Sequence, residues 1–232
     1  MNDNDITVDE MIKNPYKDIN LSLLVPCKDF DSFLVFYKTL IEHGPKKCDD
    51  VELIVKVDKD EDVSPYYELL SNSTFHYKIL LYPTYYARHS LHHFFNDMFR
   101  ISSGKIIWIL TEDLKVVKGN WYTSLMKTRN CFKDNIYYIC VPMNNGKGSK
   151  QIVSAPAVTR EWCNATGCVS EMPNADRWLY ELSKKVNRCV KLDESELLIE
   201  VPKGRRILSK AARKKYFYPL LDKIVKKLKK KI

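Results

Sequence analysis

At 232 residues with a hydrophobic fraction of 45%, the chain is long and apolar enough for one α/β domain with a sizeable core. No apolar run approaches the roughly 18–20 residues of a membrane helix, and the opening MNDNDITVDEMIKNPYKDIN is acidic and polar, unlike a secretion signal. The net charge of +9 is uneven: from Lys203 onward there are 13 Lys/Arg and a single acid, Asp222, whereas residues 1–202 hold 25 basic and 28 acidic groups, so the basicity belongs to a tail and disfavours a nucleic-acid groove in the domain.

In chain order, LSLLVP (Leu21 to Pro26) is a continuous apolar run ended by proline, as expected of a strand buried on both faces. Phe30, Phe33, Leu34, Tyr37, Leu40 and Ile41 then recur at helical spacing, with Asp29 or Asp31 opening the helix. VELIVKV (Val51 to Val57) is a second strand that runs into the acidic cluster DKDED. A short helix near Tyr66 to Leu70, a strand around Phe75 to Leu81 and a helix from Leu91 to Ile101 follow. Gly104 stops that helix, and KIIWIL (Lys105 to Leu110) is a fourth strand, again ending in acids at Thr111 to Asp113. A helix over about Trp121 to Cys131 leads to the strand NIYYICVP.

Past Pro142 the pattern loosens into the turn-rich MNNGKGSKQ, a short strand at APAVT, and a short helix at REWCNATG closed by Gly167. The segment from Asn174 or Ala175 to Asn187 places Trp178, Leu179, Leu182 and Val186 on one helical stripe, and a strand at Leu197 to Val201 precedes the tail. Alternating strands and helices predict a largely parallel sheet covered by helices, with ligands bound outside the carboxyl ends of the strands. Seven scattered cysteines with no C-x-x-C behave as small hydrophobes in a reducing cytosol.

Two parallel-type strands thus deliver carboxylates at one sheet edge, where they can hold a divalent cation and, through it, phosphates. Helix capping and solvated loops explain the same acids without a ligand. Three histidines, His89, His92 and His93, share a helical face but lack the H-E-x-x-H pattern, which favours surface or packing roles. Lys147 in NNGKGSK lacks P-loop spacing and reads as part of a mobile loop.

Taken in order, LSLLVPCKDFDSFLVFYKTL, VELIVKVDKDED, GKIIWILTEDLKVVKGNWYTSL and NADRWLYELSKKV resemble the family 2 glycosyltransferases, whose fold is GT-A, over about residues 20–200. The resemblance implies that Pro26 and Lys28 approach the nucleotide and that Asp58, with Asp60 as a second candidate, contacts its base or ribose. It makes Arg88 a phosphate or ribose ligand, with Asn96 behind it. Thr111-Glu112-Asp113 stands where the family has D-x-D, so Asp113 is the expected ligand of Mn²⁺ or Mg²⁺, with Glu112 helping. Asp176, near the start of the acceptor-side helix, becomes the catalytic base; its plain alternative is a first-turn acid favoured by the helix dipole.

The departures are specific. The first aspartate of D-x-D is replaced by Thr111, Lys105 follows the glycine where an acid is common, and no histidine occurs beyond His93. Lys203, Arg205 or Arg206 could neutralise the diphosphate instead, which leaves metal dependence open. The implied activity is inverting, metal-assisted transfer of a sugar from a nucleotide-sugar donor, a UDP-sugar first, to a hydroxyl on a glycan, lipid-linked or protein acceptor. The alternatives are a non-catalytic GT-A-like nucleotide-sugar-binding or membrane-associated protein and, further off, a sugar nucleotidyltransferase, whose glycine-rich basic signature PCKDFDS lacks.

In the tail, FYPLLDKIVKKLKKKI spaces Phe217, Leu220, Leu221, Ile224, Val225, Leu228 and Ile232 by threes and fours with lysines opposite. Such a helix suits either an anionic membrane surface or a docking site on its own domain. The sequence therefore divides into a GT-A-like domain over 1–202 and a basic helical tail over 203–232, in a cytoplasmic protein with a peripheral membrane position open to it.

Overall fold

The computed structural model describes residues 18–82, 91–144, 155–201 and 217–232. The strands are β1 (Leu21–Pro26), β2 (Cys48–Asp58), β3 (Phe75–Tyr82), β4 (Ile106–Ile109), β5 (Lys115–Gly119), β6 (Tyr138–Cys140), β7 (Met143–Asn144), β8 (Ala157–Thr159), β9 (Cys189–Lys191) and β10 (Leu197–Glu200). The helices are α1 (Phe30–Glu42), α2 (Ser64–Ser71), α3 (Leu91–Arg100), α4 (Trp121–Met126), α5 (Arg160–Thr166), α6 (Ala175–Val186) and α7 (Tyr218–Leu228).

A seven-stranded sheet runs in the order β3-β2-β1-β4-β8-β6-β9. Its first four strands are parallel, β8 is antiparallel to both β4 and β6, and β6 pairs parallel with β9. This is the expected mixed, largely parallel α/β architecture. β5, β10 and β7 form a separate three-stranded sheet.

Both faces of the main sheet are covered, which is why its central strands read as unbroken apolar runs. β1 is buried throughout. Its odd-numbered residues Leu21, Leu23 and Val25 enter a core with α1, α2, α4 and the small sheet, centred on Phe33, Tyr66, Trp108 and Trp121. Leu24 faces the other core, where α3, α5, α6 and α7 bring Phe94, Trp162, Trp178 and Leu221. Helix starts follow side-chain chemistry: the Asp29 carboxylate accepts from Ser32 N at 2.8 Å to cap α1, and Asn120 does the same for α4 through Thr123 N at 2.9 Å. α5 ends at Gly167, whose φ of 93° is the left-handed cap glycine adopts readily.

At the amino edge of the sheet a buried polar network ties the strands together. Glu52 is fully buried; it accepts from Ser22 Oγ at 2.6 Å, from Lys78 Nζ at 2.8 Å and from the Ser103 backbone nitrogen. Lys78 also donates to the Ile101 carbonyl at 2.6 Å. Gly104 closes the turn from α3 into β4 so tightly that a Cβ there would collide with the backbone nitrogen and hydroxyl of Ser22. Arg160 completes the network by donating to the Gly104 carbonyl and to Ser102 Oγ, each at 2.8 Å. Gly104 therefore does more than stop a helix: it lets the chain enter β4 against β1.

The C-terminal helix α7 lies on the domain. Phe217, Leu221, Ile224 and Leu228 are buried in the second core, and Phe217 meets Trp178 edge-on at 5.5 Å between ring centroids. Lys185 on α6 pairs with Asp222 at 2.8 Å, and Lys227 donates to the Thr166 carbonyl at 2.9 Å. The apolar stripe that the sequence offered to either a bilayer or the domain is thus occupied by the domain. Among the described residues no helix is long and apolar enough to cross a membrane.

Candidate functional site

Strands β1 to β4 end together. Cys27 N bonds to Lys56 O at 2.8 Å, Lys59 N to Tyr82 O at 2.8 Å and Leu110 N to Leu24 O at 3.0 Å, so the loops after β1, β2 and β4 leave the sheet side by side. In an open α/β sheet this carboxyl edge is where ligands bind. Pro26 closes β1 and is buried; Lys28, just beyond it, is exposed. Asp58 closes β2 and is half-buried, and Asp60 is exposed in the following turn. Thr111, Glu112 and Asp113 follow β4, with Asp113 exposed and accepting from Thr111 Oγ1 at 2.6 Å.

The local field is anionic. Glu61 has its carboxyl pushed up, first by burial and then by the neighbouring charges of Asp58, Asp29 and Asp60, with Lys56 opposing them. The buried Cys27 thiol is raised well above its ordinary range, chiefly by burial and next by Glu112. Tyr66 is raised for the same leading reason, with Cys27, Glu61, Asp29 and Glu112 adding to it. Asp29, Asp58, Asp60, Glu61 and Glu112 thus all act on the field at this edge, beside the buried Cys27 and Tyr66.

Lys56 is the residue that a pattern-based reading passes over. It is only 3% exposed, pairs with Asp58, and lies over the Phe94 ring at 4.4 Å from its centroid. The signal is present in VELIVKVD, where strand alternation sends Glu52, Ile54, Lys56 and Asp58 to one face. Three charges on one face of a strand buried on both sides require partners, and each has one. Beside them, the Tyr82 hydroxyl bonds to Asp97, which also pairs with Arg100 on α3.

Asp176 stands elsewhere on the same edge. α6 leads into β9, which runs parallel to β6, so the start of α6 lies toward the carboxyl ends of the sheet. Asp176 sits in the first turn of α6, accepts from Arg177 N at 2.6 Å, and its charge adds to the effect of burial in raising the Tyr138 phenol on β6. Two strand spacings separate β4 from β6, about 10 Å, and four separate β2 from β6, about 19 Å. The fold therefore places Pro26, Lys28, Asp58, Asp60, Glu112 and Asp113 at the ends of β1, β2 and β4, and Asp176 on the helix that leads into β9.

Arg88, Lys147, Lys203, Arg205, Arg206 and His89 fall outside the described residues. Asn96 accepts from Val169 N at 2.9 Å and donates to the Ser170 carbonyl at 2.8 Å, so its amide fastens the 168–170 loop. His92 and His93 stack on each other, with ring centroids 4.0 Å apart. Among the described residues no three His, Cys, Asp or Glu side chains are gathered as a metal-ligand set. Asp113, with Glu112, would supply the one or two carboxylates by which a divalent cation is commonly held when substrate phosphates and waters complete its shell.

No protein-family model and no curated protein matches the sequence. Solved structures do share the fold. A fragment of S. aureus TarS, residues 1–349 in complex with UDP, superposes with a TM-score of 0.63 at 12% identity, over 89% of this chain and 64% of that one. The same fragment with UDP-GlcNAc gives 0.59 at 13% identity over 82% and 60%. The mannosyltransferase PcManGT from Pyrobaculum calidifontis, in complex with GDP-Man and Mn²⁺, gives 0.55 at 11% identity over 82% and 61%. The chain thus spans a little under two thirds of these structures, and what it has in common with them is the GT-A fold.

Proposed function

We propose that this protein is a glycosyltransferase of the family 2 type, taking a nucleotide-sugar donor, a UDP-sugar first, and passing the sugar to a hydroxyl acceptor with inversion. One observation carries the reading: the loops after β1, β2 and β4 bring charged side chains to the carboxyl edge of a fold shared with structures in complex with UDP, UDP-GlcNAc and GDP-Man. The nucleoside lies over Pro26 and Lys28, with Asp58 accepting from the ribose or base and Asp60 behind it. The diphosphate reaches toward the loop after β4, and the sugar extends toward α6.

The reaction is a single in-line displacement. The acceptor oxygen bonds to the anomeric carbon as the bond from that carbon to the diphosphate oxygen breaks; the electron pair leaves on the diphosphate, and the acceptor proton passes to the Asp176 carboxylate. Lys28, exposed beside the nucleotide position, stabilises the negative charge that develops on the leaving diphosphate. Asp113, with Glu112, would hold Mn²⁺ or Mg²⁺, which would offset charge on the diphosphate, and Asp113 is the position at which that requirement is to be tested.

A second reading has its own support. Asp58 is engaged by Lys56 and Asp113 by Thr111, which suits a nucleotide-sugar-binding protein without turnover. Calorimetric titration with UDP, GDP and their sugar conjugates, with and without Mn²⁺, separates the cases when combined with an assay for release of the nucleoside diphosphate. Micromolar binding, at least ten-fold weaker in Asp58→Ala, with diphosphate release abolished in Asp176→Asn, supports transfer; ten-fold is about 1.4 kcal/mol. Binding without release in any acceptor mixture supports the second reading, and no binding overturns both.

A further inference from the structure

The outer face of α7 is a strongly charged surface that the transfer chemistry does not use. Lys223, Lys226 and Lys227 on α7, and Lys229, Lys230 and Lys231 in the turn that follows it, are all exposed, while Phe217, Leu221, Ile224 and Leu228 seal the helix into the core. The nearby acid, Asp222, is already neutralised by Lys185. Pro219, Asp222, Lys223, Lys226, Lys227 and Lys230 line a shallow groove along the helix. Tyr218, at the start of the helix, is 39% exposed, and Ile232, beyond its end, is 37% exposed.

We propose that α7 docks the protein on an anionic phospholipid bilayer electrostatically, by its lysine face, while its apolar stripe stays in the domain. A planar anionic surface can meet this cluster of lysines without requiring the domain to contribute a second wall. A duplex nucleic acid fits less well. Residues 1–202 carry an excess of acids, 28 against 25 basic groups, that repels a wrapped polyanion. The mode differs from that of an amphipathic helix lying in the interface, because burying Leu221, Ile224 and Leu228 in lipid would strip them from the second core. The proposal stands independently of whether sugar is transferred.

The test is co-sedimentation of the full chain with vesicles of phosphatidylcholine alone and with vesicles containing phosphatidylglycerol. Binding is expected only to the anionic vesicles and should vanish as salt approaches about 0.5 M, where screening collapses the attraction. Lys226→Gln and Lys230→Gln should each weaken it about five-fold, the effect of one surface lysine, with unchanged circular dichroism. Lys227 is left intact because it also holds the Thr166 carbonyl. Equal binding to neutral vesicles, persistence in high salt, indifference to both substitutions, or absence of binding to anionic vesicles would each overturn the proposal. Tighter capture by duplex DNA than by vesicles at equal phosphate would overturn it too, and name the other polyanion.

Discussion

Two lysines lie inside the central sheet, Lys56 at 3% exposure and Lys78 at 8%, and each is held by a carboxylate on β2. Lys78 belongs to the amino edge, where Glu52 also gathers Ser22 and two backbone nitrogens of the turn before β4. Removing one member of such a buried pair leaves the other charge without compensation, which costs about 3–5 kcal/mol, whereas replacing both with apolar residues costs far less. Lys78→Met should therefore lower the midpoint of urea unfolding sharply, and Glu52→Leu in the same chain should restore part of the loss. Cysteines divide by the same logic of environment. The Cys140 thiol is held below its usual range, first by a hydrogen bond from Cys189 and then, against the effect of burial, by Lys191, while burial raises Cys27 and Cys163. A lowered thiol pKa means that thiolate appears earlier as pH rises, so iodoacetamide near neutral pH should alkylate Cys140 well ahead of Cys27 and Cys163 when peptides are followed by mass spectrometry.

Among the elements, α7 invites the most direct perturbation. Leu221 is fully buried between α5 and α6, and truncating it to alanine leaves a cavity worth about 2–5 kcal/mol. Thermal unfolding of Leu221→Ala should show the loss; an unchanged midpoint would mean that the helix spends its time off the domain. The sequence already marks α7, α6 and the parallel strands, because their apolar residues recur at clear periods. Other elements leave too little trace. β5, KVVKG, is short and mostly exposed, and β7 and β9 are two and three residues long, so no period can establish itself. The direction of β8 is also hidden: APAVT is equally apolar whichever way it runs, and only its pairing with β4 makes it antiparallel. At the site, the carboxylates after β2 and β4 are legible as clusters following strands. The Lys56–Asp58 pairing is legible only once two-residue alternation is applied inside a strand that looks uniformly buried.

For the molecule as a whole, the main sheet is the common wall of two cores. Residues 18–201 supply both of its faces, and residues 217–232 supply part of one. If the basic tail were energetically separate from the domain, near- and far-ultraviolet circular dichroism would report two transitions on heating. Shared burial of Phe217, Leu221, Ile224 and Leu228 with Trp162 and Trp178 instead predicts one coincident transition, with tryptophan packing and helix content lost together.

The position of β1 has a consequence for how the protein is made. Leu21 pairs with Val51 on one side and with Ile106 on the other, so this fully buried strand gains its second neighbour only when β4, far along the chain, has been made. At translation speeds of about 5–20 residues per second, LSLLVP waits several seconds with an open apolar edge before Ile109 has emerged. During that interval the nascent chain has β2 and β3 to cover one flank and nothing native for the other. Its yield in a cell should therefore depend on chaperones that hold extended apolar segments, more than its final stability would suggest.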